Sequence, residues 1–164
     1  MMIGQEKVYE TLKGLGIGFE YFEHPEAPTV ELAMQYCQNL DSTHCKNLFF
    51  RNHKGDRHYL VILHCTRSLA IRDLEQRLRQ GKLSFASPQR MERYLGLRPG
   101  SVSPFGLVND TDHHVHVFLD ENLRSVEKLS FHPNDNRASL SIRTEDFIRF
   151  MDSTGNTYEW VKLY

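Results

Sequence analysis

Gly100-Ser101-Val102-Ser103-Pro104-Phe105-Gly106-Leu107-Val108-Asn109-Asp110 is the stretch on which the fold turns. Two glycines and a proline interrupt an apolar run that ends in a polar turn. A strand carries such residues only where its backbone bends or lets something approach closely. The segment therefore reads as a loop. A Gly-x-x-x-Pro loop leaves several backbone N–H groups without a ladder partner. Two readings follow: a bulged turn between sheet segments, or a set of donors for an oxyanion or a ligand carbonyl. Two flanking stretches bear on that choice, Lys46-Asn47-Leu48-Phe49-Phe50 and Phe131-His132-Pro133-Asn134-Asp135-Asn136.

Outward from the loop, periodicity assigns the elements. Val8, Leu12 and Leu15 recur at helical spacing, with Gly14 and Gly16 behind them. Phe19 to Glu23 reads as a short strand, and His24-Pro25-Glu26-Ala27-Pro28 as a loop, because two prolines forbid regular structure. Val30, Ala33, Met34 and Cys37 form an apolar helical stripe behind Thr29 as N-cap. Leu48–Arg51 and Tyr59–His64 predict a hairpin closed by Asn52-His53-Lys54-Gly55-Asp56. Ile71, Leu74 and Leu78 set a helix ended by Gly81. Leu83–Phe85 is a short strand, and Ser87-Pro88 opens a helix through Leu95. Strands follow around Val115–Leu119, Leu129–Phe131 and Leu140–Ile142. Thr144 is expected to cap a last helix, and Tyr158–Tyr164 adds a terminal strand.

Without strict alternation of strand and helix, the expectation is one α+β domain over residues 1–164, its central sheet mixed and mostly antiparallel, flanked by helices. A chain of 164 residues with 40% hydrophobic content is large enough for a core that needs neither disulfide nor metal. No apolar run is long enough to span a bilayer, so no membrane partner is expected. The opening residues lack a secretory pattern. Cys37, Cys45 and Cys65 are odd in number and lack CxxC spacing, which fits a reducing, cytoplasmic setting. Net charge is only −1, yet the balance is uneven: residues 46–98 hold 12 basic and 4 acidic side chains, whereas both flanking segments are acidic. That block reads either as solvated helix faces or as a side that meets phosphates.

Several chemistries are weighed against these residues. His113, His114 and His116 cluster, but neither they nor the pairs His44-Cys45 and His64-Cys65 have zinc spacing, so no metal is expected. Cys45 precedes Lys46, whose ammonium could lower a thiol pKa; the plainer reading is a small buried hydrophobe. No GxSxG elbow, Walker A motif or dinucleotide fingerprint is present. Taken singly, Lys46 reads as an exposed charge at a strand entrance, His132 as a core or surface histidine, and Asn134 and Asn136 as turn formers.

Taken together and in order, the segments 46–49, 99–110 and 131–136 resemble the YbaK/ProX aminoacyl-tRNA deacylases, which are similar to the editing domain inserted in bacterial prolyl-tRNA synthetases. Leu83-Ser84-Phe85-Ala86-Ser87-Pro88 and the helix at Asp146-Phe147 resemble the free-standing ProX branch. The likeness spans about residues 5 to 155. It implies a single α+β domain that hydrolyses the ester between a wrongly attached amino acid and the 3′ end of tRNA, without metal or other cofactor. For the ProX branch the implied substrate is alanine on proline tRNA; sister branches take cysteine, serine or threonine. The implied partners are the acceptor end of that tRNA and prolyl-tRNA synthetase.

On that resemblance the residues take roles. The amides of Gly100, Ser101, Val102 and Ser103 are expected to hold the carbonyl oxygen as it becomes negative. Lys46 would hold the terminal phosphate or ester region, and Asn47 the adenosine or carbonyl. His132 would line the pocket, together with Pro104 and Gly106 of the loop. Val30, Met34 and Phe49 would wall a pocket small enough to exclude proline, with the helix at 30–40 as a gate or an ordinary core helix. Two other classes stay open. One is a silent module that binds tRNA or a synthetase, and the other is a cysteine-dependent hydrolase using Cys45.

Overall fold

The computed structural model describes residues 2–26, 35 and 41–164. The helix expected over residues 30–37, and with it Val30 and Met34, lies outside the described residues. Eight strands form one mixed sheet: β1 (Glu20–Glu23), β2 (Thr43–Arg51), β3 (His58–His64), β4 (Ser84–Phe85), β5 (His116–Asp120), β6 (Lys128–Phe131), β7 (Ala138–Arg143) and β8 (Tyr158–Val161). The order is β1-β7-β6-β2-β3-β5-β8, with β4 joined to β2 outside this path. Contacts β1/β7, β7/β6, β2/β3 and β2/β4 are antiparallel; β6/β2, β3/β5 and β5/β8 are parallel. The expected mixed α+β architecture is the one observed.

Strand alternation divides the core into two layers. Cys45 and Phe49 of β2, Leu60 and Ile62 of β3, and Val117 and Leu119 of β5 face one cluster. Phe50, Tyr59, Val61, Leu63 and Phe118 face the other. The first face is covered by α1 (Glu6–Gly14), α3 (Pro88–Leu95) and α4 (Thr144–Thr154) through Val8, Leu12, Leu95, Phe147, Phe150 and Met151. The second is covered by α2 (Ile71–Leu78) through Leu74.

Local chemistry explains most boundaries. The Ser87 hydroxyl accepts from the Arg90 amide at 3.2 Å with Pro88 in the first turn, and Gly96 closes α3 in the left-handed region. Two expectations are corrected. α2 ends at Leu78, and its C-cap Arg79, two residues before Gly81, itself takes the left-handed conformation (φ 52°). Thr144 lies inside α4 and caps nothing; its hydroxyl donates to the Val126 carbonyl at 2.6 Å and ties the helix start to the β6 approach. The hairpin strands are longer than the apolar pattern suggests, because β2 begins at polar Thr43 where it pairs with β6.

Candidate active site

The decisive loop resolves into a turn at Arg98–Ser101 followed by a 3-10 helix over Pro104–Asn109. It is thus neither a bulge nor a strand. Ser103 is its N-cap: the hydroxyl accepts from the Phe105 amide at 3.2 Å, and the Ser103 carbonyl accepts from Gly106 at 3.0 Å. Pro104 starts the turn, and Gly106 packs tightly, since a Cβ there would stand 3.2 Å from Leu95 Cβ and 3.3 Å from the Leu95 carbonyl oxygen. Both are buried, and Ser103 is fully so. Of the four expected amide donors, Ser101 is already used, donating to the Arg98 carbonyl at 3.1 Å. The amides of Gly100, Val102 and Ser103 have no partner among the described residues. Gly100 and Val102 are the two that are also partly exposed. Gly100 holds φ 87°, which a side chain would resist.

A second feature is a gap in the sheet. The parallel pairing of β2 with β6 stops at His44 and Ser130. β4 then joins β2 only at Phe50 and Arg51, and the Ala86 amide reaches the Phe49 carbonyl at 2.9 Å. Between them, residues 45–48 have β3 on one side and no strand on the other among the described residues. Crevices where neighbouring strands part are favoured ligand sites. Asn47 stands on this stretch, on the face that carries the loop. Its amide donates weakly to the Cys45 carbonyl at 3.4 Å, and its buried Oδ1 has no partner among the described residues. A buried acceptor left empty costs about 1–3 kcal/mol, a cost a ligand donor would remove.

His132 follows the end of β6, across that gap. Its Nδ1–H donates to the Ala138 carbonyl at 2.8 Å, which makes Nε2 the acceptor nitrogen of the neutral ring. Burial holds its pKa below the usual histidine value, the Ala138 bond opposing and neighbouring His24 assisting. His132 is therefore neutral at pH 7 and suited to orient or accept, not to supply positive charge. Asn134, with φ 64°, donates to the Phe105 carbonyl at 3.3 Å and so joins this segment to the loop.

Gln5 organises the same region and was not among the expected residues. Its Oε1 accepts from Asn109 and Asn134, both at 2.9 Å, and its Nε2 donates to the Gly96 carbonyl at 3.0 Å. One side chain thus fixes the end of the 3-10 helix, the loop after His132 and the end of α3. A lone glutamine before a helix gives no motif, so sequence alone could not reveal it. A cleft of about 480 Å³ opens beside it, between Arg98–Ser101 and Asn134–Arg137.

Lys46 behaves differently. Alternation places it with Leu48 and Phe50, on the face opposite Asn47 and Phe49. Its Nζ donates to the Arg67 carbonyl at 2.7 Å, beyond the end of β3. No hydrogen bond joins it to the 100–103 loop among the described residues. Two of its three ammonium protons remain for another acceptor. Phe49 is 2% exposed and stacks on His58 at 5.6 Å, so it backs the site instead of forming an open wall.

Cys45 is buried, and burial pushes its thiol well above the ordinary range, with Cys65 and Asp120 adding to the effect. It lacks the thiolate that nucleophilic attack requires. The clustered histidines part company in the fold. His114 meets His58, whereas His116 bonds Thr157 and Glu159.

His58 carries a stability prediction. It is 1% exposed, and burial, then the nearby His114 and Arg90, push its pKa down to about 4. The unfolded chain binds a proton there below about pH 6.5, which the folded chain refuses. Stability should therefore fall as pH drops from about 6.5 to about 4, by up to about 3 kcal/mol. Urea midpoints measured across that range check this, and His58→Gln should flatten the dependence.

The family model described as the aminoacyl-tRNA editing domain matches residues 24–150. The chain is 36% identical over 163 residues to the prolyl-tRNA editing protein ProX of Acetoanaerobium sticklandii, covering 99% of each. It is 35% identical over 151 residues to the prolyl-tRNA synthetase associated domain-containing protein 1 of Bos taurus, covering 90% of this chain and 88% of that one. Among solved structures, a candidate trans-editing enzyme for prolyl-tRNA synthetase superposes with a TM-score of 0.70 at 23% identity, over 96% of both chains. The hypothetical protein APE2540 superposes at 0.73 and 21%, over 95% of this chain and 99% of that one. These two likenesses establish the fold.

Proposed function

This chain belongs to the aminoacyl-tRNA editing domain family, and on that premise we propose that it is a trans-editing hydrolase that removes alanine from misacylated proline tRNA. The observation that carries the reading is the pair of amides, at the partly exposed residues Gly100 and Val102, that have no partner among the described residues and lie on the sheet face that presents Asn47. Water attacks the ester carbonyl, and its oxygen turns negative. Fixed N–H donors in a dry setting stabilise that charge without reorganising. The bond from the carbonyl carbon to the ribose oxygen then breaks. Alanine leaves as the acid, and the ribose oxygen takes up a proton, with the neighbouring ribose hydroxyl as a relay.

The other residues bind and orient. Asn47 Oδ1 receives a donor of the terminal adenosine or the amino acid. His132 Nε2, fixed by the Ala138 bond, accepts a substrate proton or aligns the water. Lys46 engages the terminal phosphate or ester region through its two remaining protons, its side chain turning over the sheet end to do so. Discrimination comes from size. Proline is larger than alanine, and a pocket fitted to alanine rejects it by clash.

A panel of charged tRNAs tests the reading. Release of alanine from alanyl-tRNA(Pro), with prolyl-tRNA(Pro) spared, is the expected result. Faster cleavage of cysteinyl- or seryl-tRNA would reassign the amino acid. Binding of every charged tRNA with no ester cleaved would make the protein a silent binding module.

A further inference from the structure

Arginine side chains gather at the end of the β2–β3 hairpin. Arg51 closes β2 and Arg90 stands on α3; their guanidinium groups meet at Gly55. Arg51 Nη1 lies 3.0 Å, and Arg90 Nη2 3.1 Å, from the point a Cβ on Gly55 would occupy. Arg93, one turn further along α3, lies over the Tyr94 ring at 5.1 Å. Each of these three arginines lacks a carboxylate partner among the described residues. Arginines brought this close repel one another unless an anion sits between them.

The cluster is also held in place. Arg90 Nη1 donates to the Gly55 carbonyl at 2.8 Å and to His58 Nε2 at 3.0 Å. Because His58 accepts at Nε2, its Nδ1–H donates onward to His114 Nε2 at 2.9 Å. His58 is thereby fixed as the neutral tautomer between Phe49, Tyr94 and His114. A guanidinium held by two neutral acceptors keeps its full charge and several free donors for an outside ligand. Gly55, at φ 81°, is the residue whose missing side chain leaves room for both arginine ends.

We infer that Arg51, Arg90 and Arg93 form a phosphate site for the RNA backbone of the substrate, separate from the ester-cleaving centre. The inference rests on the proposed function for the identity of the RNA and on charge complementarity for the contact. Position supports it. Arg51 shares a strand face with Asn47, four residues away, which at the usual strand rise is about 13 Å. At about 3.4 Å per stacked nucleotide, that distance reaches roughly four nucleotides from the 3′ end. The site would therefore grip the backbone where the unpaired end meets the stem.

The test compares two substrates in single-turnover and steady-state hydrolysis: full-length alanyl-tRNA(Pro) and 3′-alanyl-adenosine, which lacks the distant phosphates. Arg51→Gln, Arg90→Gln and Arg93→Gln should each raise KM for the tRNA several-fold, up to about tenfold, and leave kcat near wild type. Each should also lower the slope of log affinity against log salt by up to about one. None should alter cleavage of alanyl-adenosine. Arg51→Gln leaves the His58 contacts intact and decides the matter should Arg90→Gln unfold. An unchanged KM and salt slope for the tRNA overturns the site, as does an equal loss on both substrates. Failure of the wild-type protein to cleave either substrate would instead refute the proposed function.

Discussion

Replacing Lys46 with alanine is expected to slow single-turnover hydrolysis of alanyl-tRNA(Pro) by about a hundredfold. An interaction between an ammonium and charge that develops or is held at the reacting end is worth on the order of 3 kcal/mol in a partly dry site. The fold should not suffer, because the side chain makes one hydrogen bond, to the Arg67 carbonyl, near the end of a strand pair. A melting temperature within a degree or two of wild type, beside a large loss of rate, is the signature. Lys46→Arg should recover part of the rate, since charge survives while shape does not. Unchanged turnover in Lys46→Ala would remove this residue from the mechanism and leave the amides and Asn47 to carry it. The prediction is sharp because Lys46 points away from the loop at rest, so any catalytic contribution requires its side chain to turn toward bound substrate.

Phe105→Ala is expected to destabilise the protein by about 3–5 kcal/mol. The ring is fully buried and meets Phe131 and Phe150 edge-on, with centroids 5.9 and 5.2 Å apart. For a domain of this size, each kcal/mol moves the melting temperature by about 2–4 °C, so a drop of roughly 6–20 °C should appear in a thermal scan. Phe105 also anchors the 3-10 helix whose N-cap is Ser103, and its carbonyl receives the Asn134 amide. Activity measured well below the new melting point should therefore fall as well. A loss under 1 kcal/mol would mean that the loop is not pinned by this ring.

Much of the fold was legible because it is written in alternation and capping. Leu60 and Ile62 against Val61 and Leu63 signal a strand buried on both faces, and Ser87-Pro88 opens α3, which runs through Leu95 as expected. The errors arise where tertiary contacts outrank local preference. Thr144 looks like an N-cap, but its hydroxyl found the Val126 carbonyl. The Gly100–Asp110 run reads as a loop, yet Pro104–Asn109 winds into a largely buried 3-10 turn because the first core layer takes the Phe105 and Leu107 side chains.

The candidate site was legible in its members more than in their arrangement. Asn47, His132 and the loop follow from the ordered motifs, and geometry adds which amides remain open. That Ser101 is consumed by Arg98, that Ser103 caps its own turn and that Lys46 faces away all depend on the three-dimensional course of the chain. Gln5 and the Arg90–His58–His114 chain were invisible for the same reason. Their partners lie 32 to 129 residues away, so no local pattern announces them.

The central claim is that main-chain amides of one loop receive the charge formed when the ester is cleaved. Amide-resolved NMR during titration with a phosphonate analogue of alanyl-adenosine, a tetrahedral anion at the carbonyl position, tests it most directly. The Gly100 and Val102 amide protons should move downfield together and saturably, while Ser101, already bonded to Arg98, stays near its starting shift. Saturable binding of the analogue with Gly100 and Val102 unmoved would contradict the account.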